Sequence, residues 1–509
     1  MSAVLAGGVL ALAMPGPGWW PLVFAFPPLL LEAVERAGGA RWAWLLGWLA
    51  GIVHWALATN WVLDVMHHYG GLPWLGALGA LVAMAAILGL FWALVVGLTS
   101  MVAPTWRIWF LPCVWVAADS LRRFQPTQFP WNDVAAVFSH SPDALASVPI
   151  WGAAGLSWAV VAIGAGLWGL MRRDRRSSAA ALVIAAVGCL VTFSVLAPGF
   201  DAAGRPVRVA VIQPGTTLDE KWDPDQWEAI IGRVWNLTRQ AADAGARIVL
   251  WPESAVPFQI DTDAAYRLIV TELAAELDIE IVLNSIGVNP DGGSANSAYL
   301  VTGAGISPVR YDKIHLVPFG EYVPPWAELI TTEALVREVG RFEPGEAVSP
   351  LPAAVPLGVA ICFEVVFPGH AAAATRAGAE LLVTITNDGW YGFSWAPDQH
   401  IAQIPLRAAE TRRWFARAAL TGISGFVDPY GRAVSRLEIG SQGVLVADLH
   451  PSGALTPRAR WGDWWAVSSA AIAAVLLAAS QGGGLRRVGR RSRLPDRSEE
   501  DRGDQPAGH

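Results

Sequence analysis

Three stretches in the C-terminal half of this 509-residue chain carry side chains able to do chemistry. The apolar run IVLWP leads directly to Glu253. The stretch VRYDKIHLVPFGEYVP carries Lys313 and Glu321. The run LGVAI ends in Cys362, followed at once by Phe363 and Glu364. An isolated cysteine behind apolar residues usually packs as a small hydrophobe. A carboxylate, an amine and a thiol at neighbouring strand ends form a different object, because all three can converge on one pocket. The carboxylate of Glu253 takes the proton of Cys362, since the thiolate is the nucleophile. The Lys313 ammonium and a backbone N–H, that of Phe363, stabilise the oxyanion of a tetrahedral intermediate. The carboxylate then returns the proton or accepts another in a second half-reaction. Glu364 is poor core material unless it finds a partner.

The elements that must position these groups lie between residues 205 and 449, where the pattern is that of a soluble α/β domain. Strands are expected at 207–213, 247–251, 279–286, 298–301, 357–362, 381–386, 425–427 and 443–447. Helices are expected at 227–244, 264–277 and 402–418. The Gly- and Pro-rich segment 318–325 is placed to let Glu321 orient Lys313, unless it is only a rigid turn. Segment 330–341 reads as a surface helix or a lid near lipid. Trp390, Tyr391, Phe393 and Trp395 follow Asn387-Asp388-Gly389 and suit either acyl-chain contact or core packing. His315 is given no chemistry, and His67 and His68 lack the partners of a metal site.

The bulk composition points to a membrane. Hydrophobic residues make up 53% of the chain and charged residues only 16%, against about 25% charged in soluble domains. Apolar runs at 4–14, 20–34, 42–63, 73–98, 105–121, 151–171 and 179–196 give seven helices before Pro198, the first two short. An eighth spans 463–480. Tryptophans such as Trp19, Trp42, Trp61, Trp74 and Trp151 fit aromatic belts at the bilayer surface. A net charge of −7 and three cysteines suggest neither nucleic-acid binding nor a disulfide framework.

The expected division is a membrane region at 1–198, a catalytic domain at 205–449, the helix at 463–480, and a basic, disordered tail at 486–509. The densest basic loop, at 172–176, and the tail RRVGRRSR belong in the cytoplasm. That places the catalytic domain outside the membrane it is anchored in. Arg122 and Arg123 dissent: they belong either to an arm at the outer interface that meets lipid phosphates or to an ordinary solvated loop.

WPESAVP, YDKIHLVPFGEYVP, ICFEVVFP and NDGWYG together resemble the bacterial apolipoprotein N-acyltransferases, integral membrane members of the nitrilase superfamily. The resemblance covers nearly the whole chain. It implies an αββα sandwich and a triad of Glu253, Lys313 and Cys362. Supporting positions fall on Glu321, Phe363, Glu364, Trp390, Asn296 and Trp222. Phe363 departs from the tyrosine common in the family, and at most a shift in lipid contacts is expected. The implied reaction takes an acyl chain from a membrane phospholipid as a thioester and hands it to the α-amine of a diacylglyceryl-cysteine on an apolipoprotein, in the bacterial inner membrane. No cofactor or metal is called for, and a monomer is expected. The rival is a membrane-tethered amidase acting on a small substrate.

Overall fold

The computed structural model describes residues 1–124, 128–172, 176–323 and 342–491. The segment 330–341 and the tail beyond residue 491 lie outside these, while residues 486–491, expected in the disordered tail, extend the last helix to Arg491. The soluble part is a two-sheet sandwich. Its strands are β1 (Val207–Gln213), β2 (Ile248–Leu250), β3 (Glu280–Val288), β4 (Ser294–Thr302), β5 (Gly305–Ile306), β6 (Tyr311–Asp312), β7 (Leu351–Pro352), β8 (Pro356–Ile361), β9 (Leu381–Thr386), β10 (Phe415–Ala419), β11 (Ser424–Val427), β12 (Ala433–Leu437) and β13 (Gly443–Leu449). The first sheet runs β13–β1–β2–β3–β4–β5 with β6 beside β4; the second runs β12–β11–β10–β9–β8–β7. Among the named strands, β1–β2–β3 and β8–β9–β10 pair in parallel. Strands covered on both faces read as near-continuous apolar runs; LLVTIT of β9, broken only by Thr384 and Thr386, is buried throughout.

Val209, Leu250, Val282, Val359, Ile361 and Val383 pack between the sheets. Helices Trp227–Asp243 and Ala264–Leu277 cover the first sheet through Val234, Leu237, Val270 and Leu273. Helices Pro368–Arg376 and Gln403–Thr411 cover the second, and their layer continues into the membrane region through Trp61, Val62, Leu81 and Trp131. The arrangement is therefore αββα, with the membrane helices seated on one outer layer.

The single helix expected over 402–418 is two elements. It ends at Thr411, Arg412 turns left-handed at φ 51°, and FARAA becomes the central strand β10. Small apolar residues such as alanine suit both states, so the pattern carried no break. The Arg413 guanidinium supplies the stop by bonding the carbonyls of Ala379 and Ala454.

Apolar helices occupy each of the expected membrane runs, with unequal lengths. Among the described residues, Trp74–Met101, Val148–Met171, Ser178–Leu196 and Trp464–Gln481 are long and apolar enough to cross a bilayer. A fifth span is possible by length if Ala40–Ala58 and Trp61–His68, bent by 62°, count as one. Residues 64–68, expected in a loop, continue that second helix. Ser2–Ala13, Phe26–Arg36 and Arg107–Leu121 fall short of the ~20 residues a span needs. Two belt assignments are corrected. Trp61 and Trp151 are buried against protein, Trp151 stacking on Trp464. The arginine arm is corrected as well. Arg122 pairs with Asp119 and donates to the carbonyls of Phe129 and Trp131, while Arg123 pairs with Asp463. Both arginines meet protein groups, because buried guanidinium needs anionic or carbonyl partners.

Candidate active site

Glu253 follows β2, Lys313 follows β6, and Cys362 follows β8, all near the ends of strands where an α/β sheet leaves a crevice. All three are nearly buried, at 7%, 1% and 7% exposure. Lys313 Nζ lies 3.8 Å from Glu253 Oε1 and 2.9 Å from Glu321 Oε1. Asn296, on β4, gives its amide to both carboxylates, at 2.9 Å to Glu253 and 2.7 Å to Glu321. Glu253 Oε2 accepts the backbone N–H of Asn387 at 2.9 Å, and Glu321 Oε2 that of Val317 at 2.7 Å. Two carboxylates thus share one ammonium, with their remaining lone pairs satisfied by fixed donors. Burial alone would neutralise Lys313. The charges of Glu321 and then Glu253 overcome that and raise its pKa above the ordinary lysine value.

Cys362 begins a short 3-10 turn with φ at +52°. A non-glycine residue held in this region costs on the order of 1–3 kcal/mol and persists only when its surroundings fix it. Glu364 supplies part of that fixing. It is fully buried, and its carboxylate accepts the Tyr311 hydroxyl, the N–H groups of Ile314 and His315, and the N–H of Ile361 at 2.8 Å. Glu364 therefore ties the lysine strand to the nucleophile turn and does not face the thiol as a base. Burial, then the Glu253 charge, pushes the Cys362 thiol well above its usual range, with Lys313 opposing. The resting sulfur is a thiol and needs a base to become a nucleophile.

Phe363 is buried and stacks with Phe129 at 6.1 Å and Trp131 at 6.2 Å. Its ring meets aromatics of the membrane region, which replaces the expectation of a lipid contact. Trp222 and Trp390 stand apart from the buried cluster. Trp222 is 67% exposed at the end of helix Leu218–Trp222, and Trp390 packs edge-on against Tyr69 beyond the bent membrane helices. Of the aromatic group, Tyr391 packs on Trp61 while Phe393 is open to solvent.

Sequence reasoning passed over several participants. Asn284 on β3 holds Asn296 in place, donating to its Oδ1 at 2.6 Å and accepting the Ser254 N–H at 2.9 Å. The Thr386 hydroxyl donates to Asp388 Oδ1 at 2.9 Å. Asp388 and His400 form a buried network behind the nucleophile. Asp388 stands inside NDGWYG and was open to notice; a lone histidine on a helix gives no signal of its own. Among the described residues no group of His, Cys, Asp and Glu is arranged to hold a metal ion.

Known proteins place this geometry. A family model for carbon–nitrogen hydrolases matches residues 208–474, half of the chain. A second, for the apolipoprotein N-acyltransferase N-terminal domain, matches residues 6–166. Solved structures with similarity include an amidase of the nitrilase superfamily from Nesterenkonia AN1, at 23% identity and TM-score 0.37, covering 50% of this chain and 93% of that one. By the family model, the soluble domain is of the carbon–nitrogen hydrolase class. Proteins named apolipoprotein N-acyltransferase align over nearly the full chain. The one from Geobacter metallireducens is 33% identical, covering 94% of both chains. The one from Gloeobacter violaceus is 34% identical over 97% of this chain and 96% of its own. The Pseudomonas aeruginosa protein is 30% identical over 93% and 94%. The chain belongs to the apolipoprotein N-acyltransferase family, and it is an acyltransferase carried by a membrane-embedded helical region.

Proposed function

We propose that Cys362 takes a fatty acyl chain from a membrane phospholipid and passes it to the N-terminal α-amine of a diacylglyceryl-cysteine on an apolipoprotein. In the first half, Glu253 accepts the thiol proton as sulfur attacks the ester carbonyl. Lys313 and the Phe363 N–H hold the negative oxygen of the tetrahedral intermediate. The C–O bond breaks, the proton passes to the departing alkoxide, and a lysophospholipid leaves. In the second half the amine attacks the thioester. Its proton goes through Glu253 to the leaving thiolate, which restores the thiol. A thioester keeps much of the transfer potential of the ester, so no nucleotide is consumed.

The reading is carried by one observation: the acid, the amine and the thiol occur together, buried, in a sandwich whose outer layer rests on membrane helices. Glu321 and Asn296 act on Lys313 and Glu253, and Glu364 on the turn. The basic loop and tail support a division at 1–198, 205–449, 463–480 and 486–509, with the catalytic domain on the periplasmic side of the inner membrane and the chain acting as a monomer. A small-substrate amidase would not need the matched N-terminal membrane region. Mass spectrometry of the Cys362 peptide after incubation with phospholipid, without acceptor, tests the proposal. A mass gain of one fatty acyl group supports it; an unmodified thiol sinks it.

A further inference from the structure

Behind the nucleophile, His400 lies on helix Ala396–Ile401 with no exposure to solvent. Its Nε2 is 3.1 Å from the carbonyl oxygen of Cys362, and its Nδ1 is 3.0 Å from Asp388 Oδ1. Asp388 pairs also with Arg417 and accepts the Thr386 hydroxyl at 2.9 Å. Burial works against ionising Asp388, but Arg417 and then His400 pull its pKa down to about 2. The Cys362 carbonyl is an acceptor only, so Nε2 carries a proton and donates to it, while Nδ1 faces the Asp388 carboxylate. Arg417 Nη2 stands 3.3 Å from Nδ1 and shares the same carboxylate. Trp131 covers one face of the ring at 5.5 Å, and Tyr391 meets it edge-on.

The Cys362 carbonyl and the Phe363 N–H belong to one planar trans peptide and point in opposite directions. A donor gripping the carbonyl therefore fixes where the N–H points. We propose that His400 is a positioning residue which, through the Cys362 carbonyl, aims the Phe363 N–H at the oxyanion of the acyl-transfer intermediate. The inference rests on the thioester reading given above. It assigns Asp388 and Arg417 the task of orienting the ring. Without this grip the peptide could rotate, the strained φ of Cys362 could relax, and the donor would be lost.

The test uses the full-length protein in phospholipid nanodiscs. Acylation of Cys362 is followed in single turnover, with KM for the phospholipid and the melting temperature measured alongside. His400→Phe keeps a flat ring under Trp131 but donates nothing. It should slow acylation by about 10²–10³-fold, the usual effect of losing one oxyanion donor, with KM within about threefold. His400→Gln retains an amide donor near the Nε2 position and should recover at least about tenfold of that loss. Alkylation of Cys362 by a small haloacetamide passes through no tetrahedral oxyanion, and should proceed in His400→Phe at the wild-type rate. Acylation within threefold of wild type in His400→Phe overturns the proposal. So does a parallel loss of alkylation, no recovery in His400→Gln, or failure of both variants to fold, which would make the histidine a fold element only. Absence of thioester in the wild-type protein would instead sink the underlying function.

Discussion

Lys313 gives its short contact to Glu321, at 2.9 Å, and stands a full 3.8 Å from Glu253. The ammonium is therefore anchored by one carboxylate, while the charge of the other acts on Cys362. The two acids should respond differently to loss of charge. Glu253→Gln removes the base and should slow thioester formation by roughly 10²–10⁴-fold, the span of general-base effects. Glu321→Gln leaves an oxygen for Lys313 and should cost roughly tenfold or less. Single-turnover acylation rates compare them directly, and an equal loss in both would contradict the division of labour. Glu321→Ala should also melt early, since breaking a buried pair costs about 3–5 kcal/mol.

Glu253 has two opposite effects on the sulfur. As a base it helps Cys362 react, yet as a nearby negative charge it helps hold the thiol pKa up, after burial itself. Glu253→Gln should therefore increase the rate at which a small haloacetamide alkylates Cys362 at pH 8–9, while abolishing most enzymatic acylation. The measurement is the pH profile of alkylation in both proteins. A midpoint that does not move down in the variant would remove Glu253 from the neighbourhood assigned to it.

The sequence carries much of this arrangement because strand ends mark it. Glu253, Lys313 and Cys362 each follow an apolar or strand-like run, so their convergence could be read from spacing. Asn296 came only through family likeness, and its partner Asn284 did not appear at all, since an asparagine within a strand looks like any polar residue. Glu364 could be suspected from its buried setting, but four of its five acceptor contacts depend on residues 49 to 53 positions away. The break between helix Gln403–Thr411 and β10 was invisible because it rests on a tertiary contact of Arg413, not on a Gly or Pro.

His315 predicts an acid sensitivity. Burial lowers its pKa to about 4, with the Glu364 charge opposing, and its ring lies flat on Phe367 at 3.8 Å. Above the unfolded value of about 6.5 the ring is neutral in both states. As pH falls, the unfolded chain binds a proton that the folded one refuses, so stability is lost from about pH 6.5 down to about pH 4. His315→Gln should remove this slope. Melting temperatures at pH 7.5 and pH 5 should fall less between the two in the variant than in the wild type; an equal fall would assign the acid effect elsewhere.

Gln399 is one of the polar contacts by which the catalytic domain holds the membrane region. Gln399, 1% exposed, accepts the indole N–H groups of Trp61 at 3.3 Å and Trp131 at 2.8 Å, and donates to the Ala58 carbonyl at 2.8 Å. Ala58 ends the first half of the bent helix pair, where carbonyls lose their helical partners. Gln399 thus satisfies a group that the bend exposes. Gln399→Leu would leave two indoles and that carbonyl unpaired, at about 1–3 kcal/mol for each buried group, and should lower the melting temperature by several degrees. Trp131→Phe in that background should then cost less than in the wild type, because its partner is already gone. Strict additivity of the two losses would show that the amide and the indole do not cooperate, and that the bend is held by apolar packing alone.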